Sequence, residues 1–278
     1  MQDCCRIEVR CGCVDKGPTL ETTVKFIRTV VVFDRGNLID SEPWARMHET
    51  ITRAVQKIVH PPGNDRFVIR RKIPKLDAHG NPSKQWVRNG VVPIKNQFLT
   101  NLKVAGWRAE MPVGLDRTVL AKAEPTAKTT LKEFPSKRDF AFDDANWSQI
   151  FREGLGNFDF YSESANGQRC VIEWETGNIS SSHRSMNKLC LVMLAGLIDI
   201  GVVILPSQQL YRNLTDRIGN WEELSPYLAL WHHVGHSVKR GLLAVIVVEH
   251  DEVTDDPAVP FISQGVDGRS AEGASKLL

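Results

Sequence analysis

The chain has 278 residues, enough for one large domain or two small ones with a sizeable core. Its 42% hydrophobic and 24% charged residues are ordinary for a soluble globular protein, and its cysteines are too few for a disulfide scaffold of this length. A net charge of +2 permits a nucleic-acid partner without requiring one, because local patches matter more than the total.

The first residues, MQDCCRIEVR, contain no apolar run suited to a secretory signal, which predicts a cytoplasmic protein. Cys4, Cys5, Cys11 and Cys13 lack the C-x2-C pair-of-pairs spacing of a zinc site, so reduced thiols near a chain end are expected. Next, PWARMHETITRAVQKIVH at 43–60 puts Trp44, Met47, Ile51, Val55 and Ile58 at helical spacing, opened by Pro43 and stopped by PPG. RFVIRRKI and KQWVRNGVV flank the turn-rich DAHGNPS and predict a hairpin. PIKNQFLTNLKVAG predicts a helix between Pro93 and Gly106.

Residues 113–156 are less regular. Arg117, Lys122, Lys128, Lys132, Lys137 and Arg138 stand there against Glu124 and Glu133. Such a basic insert is a solvated surface or a phosphate-contacting arm.

Order sharpens after 157. NFDFYS and RCVIEWET are strands joined through Asn166-Gly167, a strong hairpin signal. SSSHRSMNKLCLVMLAG predicts a helix with a serine cap. LCLVMLAGLIDIGVVIL at 189–205 is apolar except for Asp199. It falls short of the roughly 20 residues of a membrane span, and it predicts a buried helix running into a buried strand. Asn220 and Glu223 make a capping-box-like start to WEELSPYLALW. HHVGH lacks the glutamate of the H-E-x-x-H metal motif, which leaves surface histidines. GLLAVIVVE is a last strand, and the residues from His250 onward predict a mobile tail. The interleaving of strands and helices predicts an α/β fold, a central mixed β-sheet flanked by helices.

One strand carries chemistry. Side chains two apart share a strand face, so Glu173 and Glu175 face one way and Ile172 and Trp174 the other. Asp159 lies on the partner strand. Three carboxylates on one face repel unless a cation neutralises them, and oxygen-only ligands suit Mg2+. A two-residue Asn166-Gly167 turn would set Asp159 opposite Trp174, on the wrong face. The expectation is therefore an odd-length loop or a bulge that pairs Asp159 with Glu173 or Glu175.

An acidic residue on one strand and E-x-E on the next resembles the PD-(D/E)xK nuclease core. IEWETGNISSSHRSMNKL, GLIDIGVVILP, LTDRIGNWEELSPY, NGVVPIK, WRAEMP, FDFY and GVDGRS closely resemble, in order, the BamHI-type restriction endonucleases. The resemblance implies a restriction-endonuclease-like core at 89–250, with 1–88 an extension packed on it and 251–278 a mobile tail near DNA. It implies that Glu110, Asp159, Glu173 and Glu175 are catalytic and hold metal. Most of the superfamily has lysine where this chain has Glu175, so metal must supply all the positive charge here. Four carboxylates and two Mg2+ balance.

The same resemblance implies a homodimeric, Mg2+-dependent enzyme that cuts double-stranded DNA at GGATCC after the first G, leaving 5′-phosphate and 3′-hydroxyl ends. A companion DNA methyltransferase belongs to that lifestyle. Asn178, Ser180, Arg184, Asp216 and Arg217 are the implied base readers, in keeping with Asn–adenine and Arg–guanine pairing. Asp267 is implied near the DNA. Two other readings compete: a catalytically silent binder of the same site, and a repair or structure-specific nuclease on the same core. After Asn187 the helix is apolar nearly all round, so one face is expected to need a second copy.

Overall fold

A computed structural model of the chain describes residues 25–112, 130–133, 140–143, 157–215 and 218–263. The cysteine cluster, Asp216, Arg217, Asp267 and most of the basic insert lie outside the described residues.

In chain order the strands are β1 (Lys25–Arg35), β2 (Val68–Arg70), β3 (Ile73–Leu76), β4 (Pro82–Val87), β5 (Arg108–Pro112), β6 (Thr130–Glu133), β7 (Phe140–Asp143), β8 (Asn157–Glu163), β9 (Arg169–Trp174), β10 (Ile200–Pro206), β11 (Gly241–Glu249) and β12 (Glu252–Thr254). The longer helices are α1 (Glu42–Gln56), α2 (Val92–Val104), α3 (Ile179–Leu194) and α4 (Leu228–Gly235). Six strands form the central sheet in the order β1-β11-β10-β9-β8-β5. β9, β10 and β11 run parallel, and β1, β8 and β5 pair antiparallel with their neighbours. This is the mixed sheet that the sequence pattern predicts.

Strand β1 is the element that sequence reading passes over. Its apolar run Val30–Phe33 pairs with β11 from Lys25↔Glu249 to Arg35↔Gly241. The segment expected to pack on the core as an extension therefore also supplies an edge strand of the core sheet.

Two apolar layers cover the sheet. On one side, Trp44, Met47, Ile51 and Val55 of α1 and Ile94, Phe98 and Leu102 of α2 pack on Ile172, Trp174, Val202 and Ile246. On the other, Met186, Leu189, Val192 and Met193 of α3 pack on Val171, Val203 and Val245. Each fully buried side chain of this kind contributes about 1.5–3 kcal/mol. Trp231 of α4 covers α3 and donates to Asn187 Oδ1 at 2.9 Å. Part of the α3 face expected to need a second copy is thus covered within the chain.

Helix ends follow local chemistry. Ser41 caps α1, and Gly106, with φ 85°, follows the end of α2. Asn178, not a serine, caps α3: its Oδ1 accepts from Ser181 N at 3.1 Å, one residue pair ahead of the expected start. Asn220 caps Trp221–Leu224 as the sequence suggests. The apolar stretch 189–205 divides between α3 and β10. Among the described residues no helix is long and apolar enough to cross a membrane.

The hairpin β3–β4 forms as expected, but β2 does not join it. β2 instead pairs parallel with β12. With Ile262 buried as well, residues 251–263 are anchored rather than a mobile tail. The hub is Asn89, wholly buried. Its Nδ2 donates to Arg70 O (2.8 Å) and Asn213 O (3.0 Å), and its Oδ1 accepts from Ile262 N (3.1 Å).

Candidate active site

The β8–β9 hairpin settles the register question. Pairing runs Phe160↔Ile172 to Glu163↔Arg169, and Ser164 N donates to Gln168 O at 2.9 Å. The loop is therefore the odd-length Ala165-Asn166-Gly167, with Gly167 at φ 75°. The regular pairing ends at Phe160↔Ile172, one residue short of Asp159, whose side chain instead reaches β9 by accepting from Trp174 N. β8 is irregular there: Phe158 joins the α3-side core and Phe160 the opposite one.

Trp174 answers for its place between two glutamates. It packs into the α2-side core, 4.7 Å from the Phe98 ring, which leaves Glu173 and Glu175 on the α3 side. Asp159, Glu173 and Glu175 line one open cleft of about 430 Å³ with Lys95, Ser181, Arg184, Ser185 and Lys188.

Each carboxylate is held. Asp159 Oδ2 accepts from Trp174 N at 2.8 Å, and its Oδ1 pairs with Lys95 Nζ at 2.5 Å. Glu175 accepts from Ser182 Oγ (2.8 Å) and Ser185 Oγ (2.7 Å). Glu173 Oε1 forms a buried ion pair with Lys188 Nζ. That ammonium also donates to Asn157 O at 2.9 Å and lies 4.7 Å from the Phe158 ring centre.

The electrostatics follow from burial. Glu173 is pushed up to about 7, first by burial; Lys188 draws it down, and the charges of Asp159 and Glu175 raise it. Burial also raises Glu175, against its hydrogen bonds from Ser185 and Ser182, with Asp159 raising it and Arg184 lowering it. Two glutamates that burial and neighbouring carboxylates make harder to ionise, with the Asp159 carboxylate beside them, are a donor set that fits a hard divalent cation. Among the described residues, however, no three acidic, histidine or cysteine side chains stand gathered as a metal centre. Two ammonium groups sit on Asp159 and Glu173 instead. The expectation that metal supplies all the positive charge is thereby corrected: α2 and α3 each bring a lysine.

Glu110 stands apart. The β5–β8 pairs Ala109↔Phe160 and Met111↔Phe158 put it level with Asp159, yet it is exposed and does not line the cleft. Its φ of 52° is left-handed, which breaks the ladder at that residue. Asn178 and Ser180 are exposed at the start of α3, beside Arg184 at the cleft edge. The oxygen of Asn178 is engaged in capping. Asp216 and Arg217 fall between the described Thr215 and Ile218. Gly219 sits so tightly on α3 that an added Cβ would lie 2.0 Å from Ser182 Oγ.

Sequence reading missed Lys95, Ser182, Ser185 and Lys188. A signal existed: Ser181, Ser182, Ser185 and Lys188 recur at i, i+1, i+4 and i+7, a polar stripe along one side of the helix.

Comparison with known proteins bears on this site. The family model described as restriction endonuclease BamHI matches residues 24–269. The chain is 34% identical over 220 residues to the type II restriction enzyme OkrAI of Oceanobacter kriegii, covering 79% of this chain and 87% of that one. It is 32% identical over 189 residues to the type II restriction enzyme BamHI of Bacillus amyloliquefaciens, covering 68% and 71%. Among solved structures it is similar to restriction endonuclease BglII complexed with a DNA 16-mer, at a TM-score of 0.47 and 9% identity, covering 83% and 78%.

Proposed function

The chain belongs to the BamHI family of restriction endonucleases, and from that premise we propose that it is a Mg2+-dependent type II enzyme that cuts double-stranded GGATCC after the first G. The observation that carries the catalytic part is the convergence of Asp159, Glu173 and Glu175 in one cleft, where burial and mutual charge raise both glutamates. Asp159, Glu173 and Glu175 would hold the metal, with Glu110 joining when DNA is bound. Bound there, Mg2+ supplies positive charge for the scissile phosphate and for water activation.

The chain's own residues do the rest. Glu175, steadied by two serine hydroxyls and with raised proton affinity, takes the proton of the attacking water. Asp159 is aimed by the Trp174 N–H, and Glu173 by Lys188. Asn178, Ser180, Arg184, Asp216 and Arg217 read base edges, with Asp267 approaching from the tail.

A palindromic target calls for a two-fold homodimer, testable by light scattering. The setting is cytoplasmic, with a companion methyltransferase protecting the host's own sites.

The test is digestion of a plasmid carrying one GGATCC in Mg2+, followed by sequencing of the ends. A single cut with 5′-GATC overhangs is expected. Tight GGATCC binding without cleavage would make the chain a silent binder. Cuts at nicks, flaps or unrelated sites would make it a nuclease of another specificity.

A further inference from the structure

The β3–β4 hairpin stands outside the central sheet and buries little of itself. Ile73, Leu76 and Trp86 are all exposed, Leu76 by 65%. A lone two-stranded hairpin is marginal in water, so an exposed Trp86 on one asks for a reason. Residues 72–87 carry Lys72, Lys75 and Lys84 against a single acid, Asp77. The Asp77 carboxylate is already used inside the turn, accepting from His79 N and Asn81 N at 2.9 Å.

The register sorts these side chains. Pro74 is paired with Trp86 and Leu76 with Pro82, so β4 bulges between Pro82 and Trp86, and Lys84 and Gln85 stand exposed in that bulge. Lys72 Nζ sits 5.0 Å from the Trp86 ring centre. The hairpin therefore presents an exposed indole with one ammonium on its ring and a second, that of Lys84, exposed two residues away in the chain.

The hairpin is rooted beside the candidate reading segment. Lys72 N approaches Asn213 Oδ1 at 3.4 Å, Asn89 N donates to Asn213 O at 3.0 Å, and Thr215 N donates to Asn89 O at 2.8 Å. Asp216 and Arg217 follow directly in the chain. The other strand end runs through Asn89 into α2, which carries Lys95 into the active-site cleft.

We propose that the β3–β4 hairpin is a DNA-backbone arm: Lys72 and Lys84 neutralise phosphates flanking the recognition sequence, with Trp86 packed against the backbone between them. This rests on the reading that double-stranded DNA is the substrate. Lysines that merely protect a sheet edge would give the same exposure without any effect on DNA.

The test is the double variant Lys72→Gln, Lys84→Gln. Affinity is measured in EDTA from 50 to 300 mM salt, on two long duplexes of equal length, one with GGATCC and one without. Each lost phosphate contact flattens the plot of log K against log salt by about 0.9, so the two lysines of each of two subunits should flatten it by about 3.6 on both duplexes. On a duplex trimmed to the recognition sequence, the variant and the wild type should converge. An unchanged slope overturns the arm. So does a loss confined to the GGATCC duplex, or a change in oligomeric state by light scattering. Failure of the wild type to bind either duplex overturns the DNA reading instead.

Discussion

Lys188→Met tests the buried ion pair at its centre. Methionine keeps much of the side-chain volume and removes the ammonium. In the wild type, Glu173 titrates at about 7 in the metal-free protein, although Lys188 draws it down. Without Lys188, burial and the charges of Asp159 and Glu175 push it higher still, so the variant keeps a proton on Glu173 above pH 7. At pH 7 the wild-type glutamate is about half ionised in the folded chain, and by pH 9 it is ionised in both folded and unfolded chains, so its own pH slope fades over that interval. In the variant the folded chain alone holds the proton. Wherever the folded variant alone holds the proton, its stability falls relative to the wild type by up to about 1.4 kcal/mol per pH unit, so the gap should widen from pH 7 to 9. The full cost of stranding one member of a buried pair, about 3–5 kcal/mol, sets the ceiling. At pH 7 itself the loss is nearer the single hydrogen bond to Asn157 O, about 1 kcal/mol. The wild type has its own signature with the opposite window. Because its folded pKa is raised above 4.5, the penalty is absent at lower pH, grows from pH 4.5 to 7, and is level above. Urea unfolding in EDTA at pH 7, 8 and 9 measures both. A wild-type-to-variant gap that stays level from pH 7 to 9 would refute the pairing and the raised pKa together.

Glu175→Lys changes the cleft by two charges toward positive, so binding to GGATCC should hold or tighten while cleavage collapses; a gel shift in EDTA beside digestion in Mg2+ reads both, and near-normal cutting would count against Glu175 as the proton acceptor. Asn89→Ala removes three side-chain hydrogen bonds in a fully buried place and should destabilise the chain by about 3 kcal/mol in urea unfolding, whereas a loss under about 1 kcal/mol would mean the hub is dispensable. Arg217→Ala should cost about 1–3 kcal/mol of discrimination at one guanine, read from affinities for single-base variants of the site, and an unchanged preference would remove Arg217 from the readers.

What the sequence makes legible is what local patterning controls. The period-two alternation of Cys170–Glu175 tells which way Trp174 and the glutamates face, and Asn166-Gly167 marks the turn. Loop length is not local in that sense. It became predictable here because a chemical demand, Asp159 beside Glu173, excluded the two-residue turn. The lysines were illegible for a different reason. Lys95 lies on another helix, 64 residues before Asp159, and such long-range pairing leaves no periodic trace, whereas Lys188 left one in the polar stripe of α3 without naming Glu173 as its partner. β1 carries a clear β-branched run, but nothing in that run names β11, more than 200 residues later, as its partner. The anchoring of 251–263 depends on Asn89 in the same way, since a polar residue in NGVVPIK looks like a turn until its three partners are seen.

The charge of the cleft is therefore set by helices as much as by strands. Counting strand carboxylates alone gives a charge that two divalent ions must balance. Lys95 on Asp159 and Lys188 on Glu173 change that count, because each carboxylate already has an ammonium at ion-pair distance. Glu175 alone is held by neutral donors, Ser182 and Ser185, so of the three it keeps the least-compensated charge. A buried carboxylate held by hydroxyls, with Arg184 as its nearby cation and raised in proton affinity, fits the proton-accepting role proposed for it. All three could offer oxygens to a metal, and a divalent ion that displaced an ammonium would keep the carboxylate neutralised while Lys188 kept its bond to Asn157 O. Two glutamates separated by one tryptophan thus meet different surroundings across the cleft, an ammonium for Glu173 and two hydroxyls for Glu175, and the division of tasks proposed for them rests on that difference.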